Sequence, residues 1–235
     1  MPAAIPLLPL DAPEAWTKPS LANTDGGKTY KPTHPDCFKV EFSAIPPDES
    51  GGEETFASAL IAVTDIEPNS IITPLTNLSQ APLKAYSSVQ YGVGDHDHLE
   101  LNSDLLFMNH SCDPTAYVSL PKYKPDQWVL MSTPKGLKRS EAVTFFYPST
   151  EWDMAQGFKC SCGSENCLGE IKGAKYLSIE QLEQRGHVNQ HIRSLKGQQE
   201  KEQSDHRGDR VKNKRLDICG RRISVAQVNM HPYKM

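Results

Sequence analysis

Four cysteines in two distant patches constrain this chain more than any other feature of its sequence. Three of them form the pattern Cys160-x-Cys162-x4-Cys167, and the fourth, Cys112, ends the polar segment Asn109-His110-Ser111-Cys112. Structural zinc sites take four tetrahedral ligands, usually thiolates. If these cysteines share one ion, the fold has to bring two separate segments of the chain together.

The spacing of the later three cysteines favours a metal site. Cys160 and Cys162 on a tight turn can face the same ion, and Gly163 allows the backbone to bend back toward Cys167. The alternative is a group of buried apolar cysteines without metal. Cys37 and Cys219 lie outside the pattern, and the sequence assigns them no role.

Composition narrows the class of protein. The chain has 235 residues, enough for one domain with an appendage, and its net charge of -4 argues against direct binding to nucleic acid or to an anionic membrane. No apolar run approaches membrane-spanning length, and the apolar N-terminus lacks the basic region of a signal peptide. Six cysteines are too sparse for a disulfide scaffold, so thiolates in a reducing compartment, cytoplasmic or nuclear, are expected.

Residue patterns predict a mainly β fold with few helices. Short segments rich in β-forming residues are separated by Pro and Gly turns; they are Cys37–Phe42, Phe56–Ile61, Ser70–Thr73, Trp128–Met131 and Ala142–Phe146. Residues 1–36 are expected to be a flexible lead-in. Residues 176–235 are expected to hold a C-terminal helix over 179–196, capped by Ser178 and Gln181 and interrupted or weakened at Gly186, and then a charged, solvated or disordered tail.

Three segments, in this order, resemble the SET-domain lysine methyltransferases. Phe107-Met108-Asn109-His110-Ser111-Cys112-Asp113-Pro114 resembles their signature, Val143-Thr144-Phe145-Phe146-Tyr147 the strand that ends in their active-site tyrosine, and Phe158 through Cys167 their post-SET zinc motif. The resemblance covers about residues 38–175. It implies small curved sheets with a pseudoknot, a SET domain over 37–150 and a zinc-bound post-SET segment over 151–175.

The resemblance also implies an enzyme and its site residues. Zinc would be held by Cys112, Cys160, Cys162 and Cys167, and S-adenosylmethionine would be contacted by Asn109, His110, Ala59 and Phe158. Tyr147 would be the catalytic residue that orients the amine. The implied reaction is methyl transfer from S-adenosylmethionine to a lysine or a similar amine, on a protein or a small molecule.

Several positions depart from the family pattern. The family's Gly-x-Gly is Ala57-Ser58-Ala59 here, its Arg before the signature Phe is Leu106, its Asn after the signature Pro is Thr115, and its Gly in the turn before the tyrosine strand is Ser140. Methyl groups now stand where the backbone approaches the methyl donor. Two alternatives therefore stay open: a SET-fold enzyme for a small molecule, with or without S-adenosylmethionine, and a non-catalytic binding module.

Overall fold

The computed structural model describes residues 31–45, 55–81, 83–122 and 124–220. Most of the predicted lead-in and the end of the predicted tail lie outside these residues. Two units divide the chain, residues 1–196 and residues 197–235. Among the described residues, no helix is both long enough and apolar enough to cross a membrane.

Short strands make up most of the regular structure of the first unit. They are β1 (Phe38–Ile45), β2 (Thr55–Ala62), β3 (Ile71–Pro74), β4 (Leu78–Gln80), β5 (Ser88–Gln90), β6 (His98–Leu101), β7 (Asn109–His110), β8 (Ala116–Ser119), β9 (Val129–Ser132), β10 (Thr144–Phe145), β11 (Phe158–Lys159) and β12 (Glu170–Ile171). Single 3-10 turns connect some of them, at Asp104–Phe107, Pro125–Gln127, Tyr147–Ser149 and Ala174–Tyr176. The predicted β-rich, SET-type arrangement is confirmed.

The strands pair into small separate sheets rather than one large sheet. β1 pairs with β2, β3 with β9 and β9 with β8, β4 with β6 and β6 with β5, and β11 with β12, all antiparallel. β7 and β10 form a parallel pair. Parallel pairing requires a crossover between the strands, and here residues 111–143 make that connection.

The main core lies between these sheets. Its fully buried members include Phe38, Leu60, Leu99, Leu105 and Leu130. In β8 the buried Ala116 and Val118 alternate with half-buried neighbours, as expected for a strand with one face on the core. A second cluster packs the start of the C-terminal region onto the residue before Tyr147; it holds Phe146, Ala174, Leu182, Val188 and Ile192.

The C-terminal region contains two helices, because the helix predicted over 179–196 is interrupted near Gly186. α1 (Ile179–Glu183) begins with the predicted capping box of Ser178 and Gln181. The chain then breaks at Gly186, whose φ is +102°, before α2 (Gln190–Gly220) begins. The charged stretch after residue 197 was predicted to be a solvated or disordered tail, and it is helical through Gly220. Its many Glu, Gln, Lys and Arg residues are good helix formers, which explains a helix without an apolar face.

Ser140 has a left-handed backbone conformation, which glycine adopts most easily, and this explains why the family pattern has Gly at this position. Its φ is +71°, and its N–H donates to the carbonyl of Ala62 at 2.8 Å. Because the side chain costs energy in this conformation, Ser140→Gly should raise the free energy of unfolding by about 0.5 to 1 kcal/mol. Ser140→Ala, which keeps the Cβ atom, should give no such gain. Urea unfolding of both variants measures the difference, and equal stabilities would contradict the backbone explanation.

Candidate active site and cysteine cluster

The parallel pair of β7 and β10 positions the main candidate residues. Asn109 lies opposite Thr144 and His110 lies opposite Phe145. The N–H of Ser111 extends the pairing by donating to the carbonyl of Phe145 at 3.1 Å. Cys112 lies two residues after the end of β7, and Tyr147 lies two residues after the end of β10.

The hydroxyl of Tyr147 has a fixed hydrogen-bond partner. It donates to the backbone carbonyl of Met108 at 2.9 Å, across the same pair of strands. Burial, with a smaller contribution from Glu151, raises the pKa of Tyr147 to about 12. The phenol is therefore neutral at physiological pH, and its oxygen keeps lone pairs that can accept a hydrogen bond from a ligand.

His110 lies between Tyr147 and the cysteines. Its Nδ1 accepts the backbone N–H of Tyr147 at 3.2 Å, and its Nε2 is 3.4 Å from the sulfur of Cys112. Burial, reinforced by the positive charge of Arg185, lowers the pKa of His110 to about 4, so the ring is neutral. Since Nδ1 is an acceptor, the ring proton lies on Nε2 and is donated to the sulfur.

The four predicted cysteines meet in one cluster. Their Sγ atoms all lie within 4.8 Å of one another, and those of Cys112 and Cys160 are 4.0 Å apart. A tetrahedral site with zinc–sulfur bonds of about 2.3 Å has sulfur–sulfur distances of about 3.8 Å. Backbone N–H groups of Leu168 and Gly169 donate to the sulfurs of Cys112 and Cys167, both at 3.4 Å. Such donors favour anionic sulfur, so the donor set and its geometry fit a tetrahedral thiolate-bound metal.

Asn109 and Phe158 connect the remaining predicted cofactor residues to this centre. The exposed Asn109 donates its side-chain N–H to the carbonyl of Ser58 at 2.6 Å. Ser58 lies between Ala57 and Ala59, whose methyl groups share the opposite face of β2. Phe158 presents its ring edge-on to His110, with 5.6 Å between ring centroids. The predicted set therefore surrounds a single region of the fold.

Thr115 performs a structural role that the sequence alone does not show. Its hydroxyl donates to the carbonyl of Ala142 at 2.9 Å and accepts the N–H of Thr144 at 3.0 Å. One small side chain thus supplies the donor and the acceptor that an amide would supply at this position. The departure from the family's Asn is therefore compensated locally and leaves β10 in place.

A cavity of about 50 Å³ lies against Tyr147. Its wall includes Leu105, Leu106, Met108, Phe145 and Glu151. Leu106 supplies apolar surface where the family pattern has an Arg. Sequence reasoning missed Glu151, because nothing in the local pattern marks a buried carboxyl. The sequence offers only a weak signal for it, which is that Glu151 is the single charged residue between Val143 and Trp152.

Comparisons with known proteins agree with this arrangement. Methyltransferase flvH of Aspergillus flavus is 38% identical over 168 residues, which are 71% of this chain and 85% of flvH. Histone-lysine N-methyltransferase met-2 of Caenorhabditis elegans is 36% identical over 70 residues, 28% of this chain. The H3 lysine-4 specific histone-lysine N-methyltransferase of Emericella nidulans is 31% identical over 64 residues, 27% of this chain. Each of these two matches spans 5% of the histone methyltransferase's own length.

Two solved structures are similar to part of the chain. KRYPTONITE in complex with mCHG DNA and SAH is 14% identical, with a TM-score of 0.37, 56% of this chain covered and 29% of that chain. The methyltransferase domain of human SETMAR is 11% identical, with a TM-score of 0.37, 57% of this chain covered and 59% of that chain. No protein-family profile matches the chain.

The motif order, the β-rich fold of small sheets and the relationship to flvH lead to one assignment. The chain belongs to the SET-domain methyltransferases, as a divergent member without the Gly-x-Gly of the family pattern.

Proposed function

We propose that this protein transfers a methyl group from S-adenosylmethionine to an amine, either a lysine side chain or a similar amine on a small molecule. The observation that carries the proposal is the position of Tyr147. Its hydroxyl is held by the carbonyl of Met108, and its side chain lines a cavity of mixed polar and apolar surface that also contains Phe145. A neutral amine in such a cavity can be aligned for attack while water is excluded.

The cofactor would be bound by Asn109, His110, Ala59 and Phe158. When bound, S-adenosylmethionine supplies an electrophilic methyl group on its sulfonium. Asn109 offers amide hydrogen-bonding groups at an exposed position beside β2, and the rings of His110 and Phe158 offer apolar and edge contacts. The protein's own contribution is to hold the amine with the Tyr147 oxygen and to keep the cavity dry.

We also propose that the cysteine cluster holds zinc. The ion would join Cys112, next to the active-site strands, to the later segment that carries Phe158. Zinc would thereby order a wall of the cofactor site, because structural zinc binding contributes folding free energy. Thiolate ligands require a reducing compartment, which fits a protein of the cytoplasm or nucleus.

One feature favours the alternative of a small-molecule enzyme that does not use the donor. The methyl groups of Ala57 and Ala59 lie on one face of β2, next to the carbonyl that Asn109 holds. A cofactor that packs closely against this face would meet both methyl groups. The alternative keeps the cavity and Tyr147 and requires no cofactor at Asn109, so cofactor binding separates the two functions.

Calorimetric titration with S-adenosylmethionine is the first test. The wild-type protein should bind the cofactor, and Asn109→Ala should weaken binding about tenfold, since a lost polar contact is worth about 1.4 kcal/mol. Asn102→Ala, which removes a side-chain amide that donates to Ser79, serves as the control and should bind normally. No binding at millimolar cofactor would leave the donor-independent alternative and the non-catalytic module.

Tyr147→Phe tests the catalytic assignment. Loss of the hydroxyl should lower the turnover number about a hundredfold, because the amine loses an orienting contact. Unfolding should become easier by only about 1 kcal/mol, the value of one hydrogen bond. Tyr117→Phe removes another half-buried hydroxyl, which donates to the sulfur of Met131, and should leave turnover unchanged. Equal turnover in Tyr147→Phe and wild type would make Tyr147 a packing residue.

Cys162→Ser tests the metal site. Elemental analysis of the wild type should give one zinc per chain, and the variant should lose it and become open to proteolysis after Phe158. Cys37→Ser is the matched control, since Cys37 is half-buried and outside the cluster. The zinc assignment fails if the wild type contains no stoichiometric zinc, or if Cys162→Ser retains it.

A further inference from the structure

Glu151 is a buried carboxyl in the wall of the cavity that Tyr147 also lines. Only 7% of the residue is exposed, and its backbone N–H donates to the carbonyl of Tyr147 at 2.9 Å, one turn earlier in the chain. Among the described residues around this cavity, Glu151 alone carries a carboxyl or an amine. The other walls combine apolar side chains, including Leu101, Leu105 and Phe145, with the uncharged polar side chains of Ser87, Ser88 and Gln156.

The hydrogen bonds of Glu151 use one carboxyl oxygen. Oε1 accepts the backbone N–H of Gln90 at 2.8 Å and the hydroxyl of Thr150 at 3.1 Å. Within the described part of the chain, no donor reaches Oε2, and no basic side chain comes within 4.0 Å of this carboxyl. A buried carboxylate without a cation is costly. One carboxyl oxygen, Oε2, is therefore available to a partner from outside the chain.

Tyr147 adds a second acceptor to the same cavity. The proton of its hydroxyl is donated to the carbonyl of Met108, so its oxygen can receive a hydrogen bond. A carboxylate and a hydroxyl oxygen together match a small cation that carries several N–H donors. A primary ammonium group has three such donors. An anion would be repelled by Glu151, and a purely apolar group would leave both acceptors without partners.

We propose that Glu151 binds the ammonium group of the substrate and accepts its proton, a role that rests on the methyl transfer proposed above. The substrate class is a primary amine. The cavity of about 50 Å³ has room for an amine head group, since a cavity of about 10 to 15 Å³ already holds one water.

The proton transfer balances in charge and atoms. One N–H bond of the ammonium breaks and its proton forms an O–H bond on Glu151, which leaves a neutral amine and a neutral carboxyl. The nitrogen lone pair then forms a bond to the methyl carbon of a methyl-sulfonium donor, while the carbon–sulfur electron pair stays on sulfur. The product leaves as a methylated ammonium, and Glu151 releases its proton to solvent.

Titration of the surrounding groups is consistent with this role. Burial raises the pKa of Glu151 to about 7, so the carboxyl can both bind and release a proton near neutral pH. Tyr147, with a pKa of about 12, and His191, whose burial lowers its pKa to about 4, do not change charge in this range. The other charged or titratable groups on the elements packed around Glu151 include Lys84, whose positive charge opposes the rise in the pKa of Glu151, the Asp153–Lys175 ion pair, His98 beside Ser88, Glu100, which accepts from Ser87, and Lys196, which lies over the ring of Trp152.

Binding of simple probes tests the ammonium site without any methyl donor. We expect wild-type protein at about pH 8 to bind n-butylammonium more tightly than 1-butanol, by about tenfold or more in Kd, because an ion pair adds to the same apolar contact. Glu151→Gln keeps the shape and can still accept from Gln90 and Thr150, but it should lose the preference. Glu151→Asp should retain a weaker preference. Glu170→Gln, an exposed carboxyl paired with Lys172, is the matched control and should behave as wild type.

The pH profile of methyl transfer to n-butylamine or a lysine peptide tests proton acceptance. For the wild type, kcat/KM should rise to a shoulder near pH 7, where Glu151 loses its proton. Glu151→Gln should be about 10²- to 10³-fold slower at neutral pH. Its rate should then recover toward the amine's own pKa of about 10, because the substrate there loses its proton unaided. An equal loss at every pH would indicate a merely structural role and overturn the proposal.

The two proposals fail in different ways. Absence of cofactor binding defeats methyl transfer, whereas n-butylammonium binding to the wild type and its loss in Glu151→Gln do not involve the cofactor. An equal affinity of the wild type for n-butylammonium and 1-butanol defeats the role of Glu151, even if methyl transfer is observed. Thermal melting establishes that Glu151→Gln is folded. At about pH 8 the variant should melt at or above the wild-type temperature, since it no longer buries a carboxylate.

Discussion

The parallel pairing of β7 with β10 is the constraint on which the rest of the site depends. It is two residues long on each strand, yet it places Cys112 and Tyr147 at equivalent distances beyond the paired ends. Three side-chain bonds support it: Tyr147 to the carbonyl of Met108, and Thr115 to both Ala142 and Thr144. A pair this short is not stable alone. The side-chain bonds and the core beneath Phe145 keep the candidate residues together.

His110 connects the two chemical regions that this pairing creates. It accepts the N–H of Tyr147 on one side and donates its ring proton toward the sulfur of Cys112 on the other. The Nε2 contact with Cys112 and the Nδ1 contact with Tyr147 together fix the orientation and the tautomer of the ring, so the ring that touches the cysteine cluster also positions the backbone of Tyr147. Phe158, two residues before Cys160, packs edge-on to the ring of His110. The cysteine cluster and the cavity are therefore mechanically linked through one side chain.

Sequence motifs identified the residues that carry local signals and missed those defined by the fold. Asn109, His110, Tyr147 and the cysteines lie in recognisable segments, and the structure brings them together. The capping box at Ser178 is a local pattern and was predicted correctly. The helix after residue 197 was missed because a run of charged residues is typical both of a solvated tail and of a surface helix.

The contact between Asn109 and β2 could not be predicted from the sequence, for a different physical reason. The contact from Asn109 to the Ser58 carbonyl joins residues 51 positions apart. A backbone carbonyl carries no residue-specific signal. Glu151 was missed for a related reason, since burial is a property of the surrounding structure and exposed glutamates look the same in a sequence.

The burial of Glu151 has a consequence for stability that separates it from an ordinary core residue. Its folded pKa of about 7 exceeds the ordinary 4.5. A carboxyl with a raised pKa favours the folded state at low pH, and that contribution is lost as the pH rises from the unfolded value through the folded one. At neutral pH the protein is therefore less stable than it would be with a neutral side chain of the same shape. The left-handed Ser140 is another position where local stability is below what the fold allows. At Ser140 no contact compensates the strain beyond the hydrogen bond to Ala62, whereas a cationic ligand in the cavity would offset the cost at Glu151. The amine binding proposed for this cavity accounts for a buried carboxyl that lowers the stability of the fold.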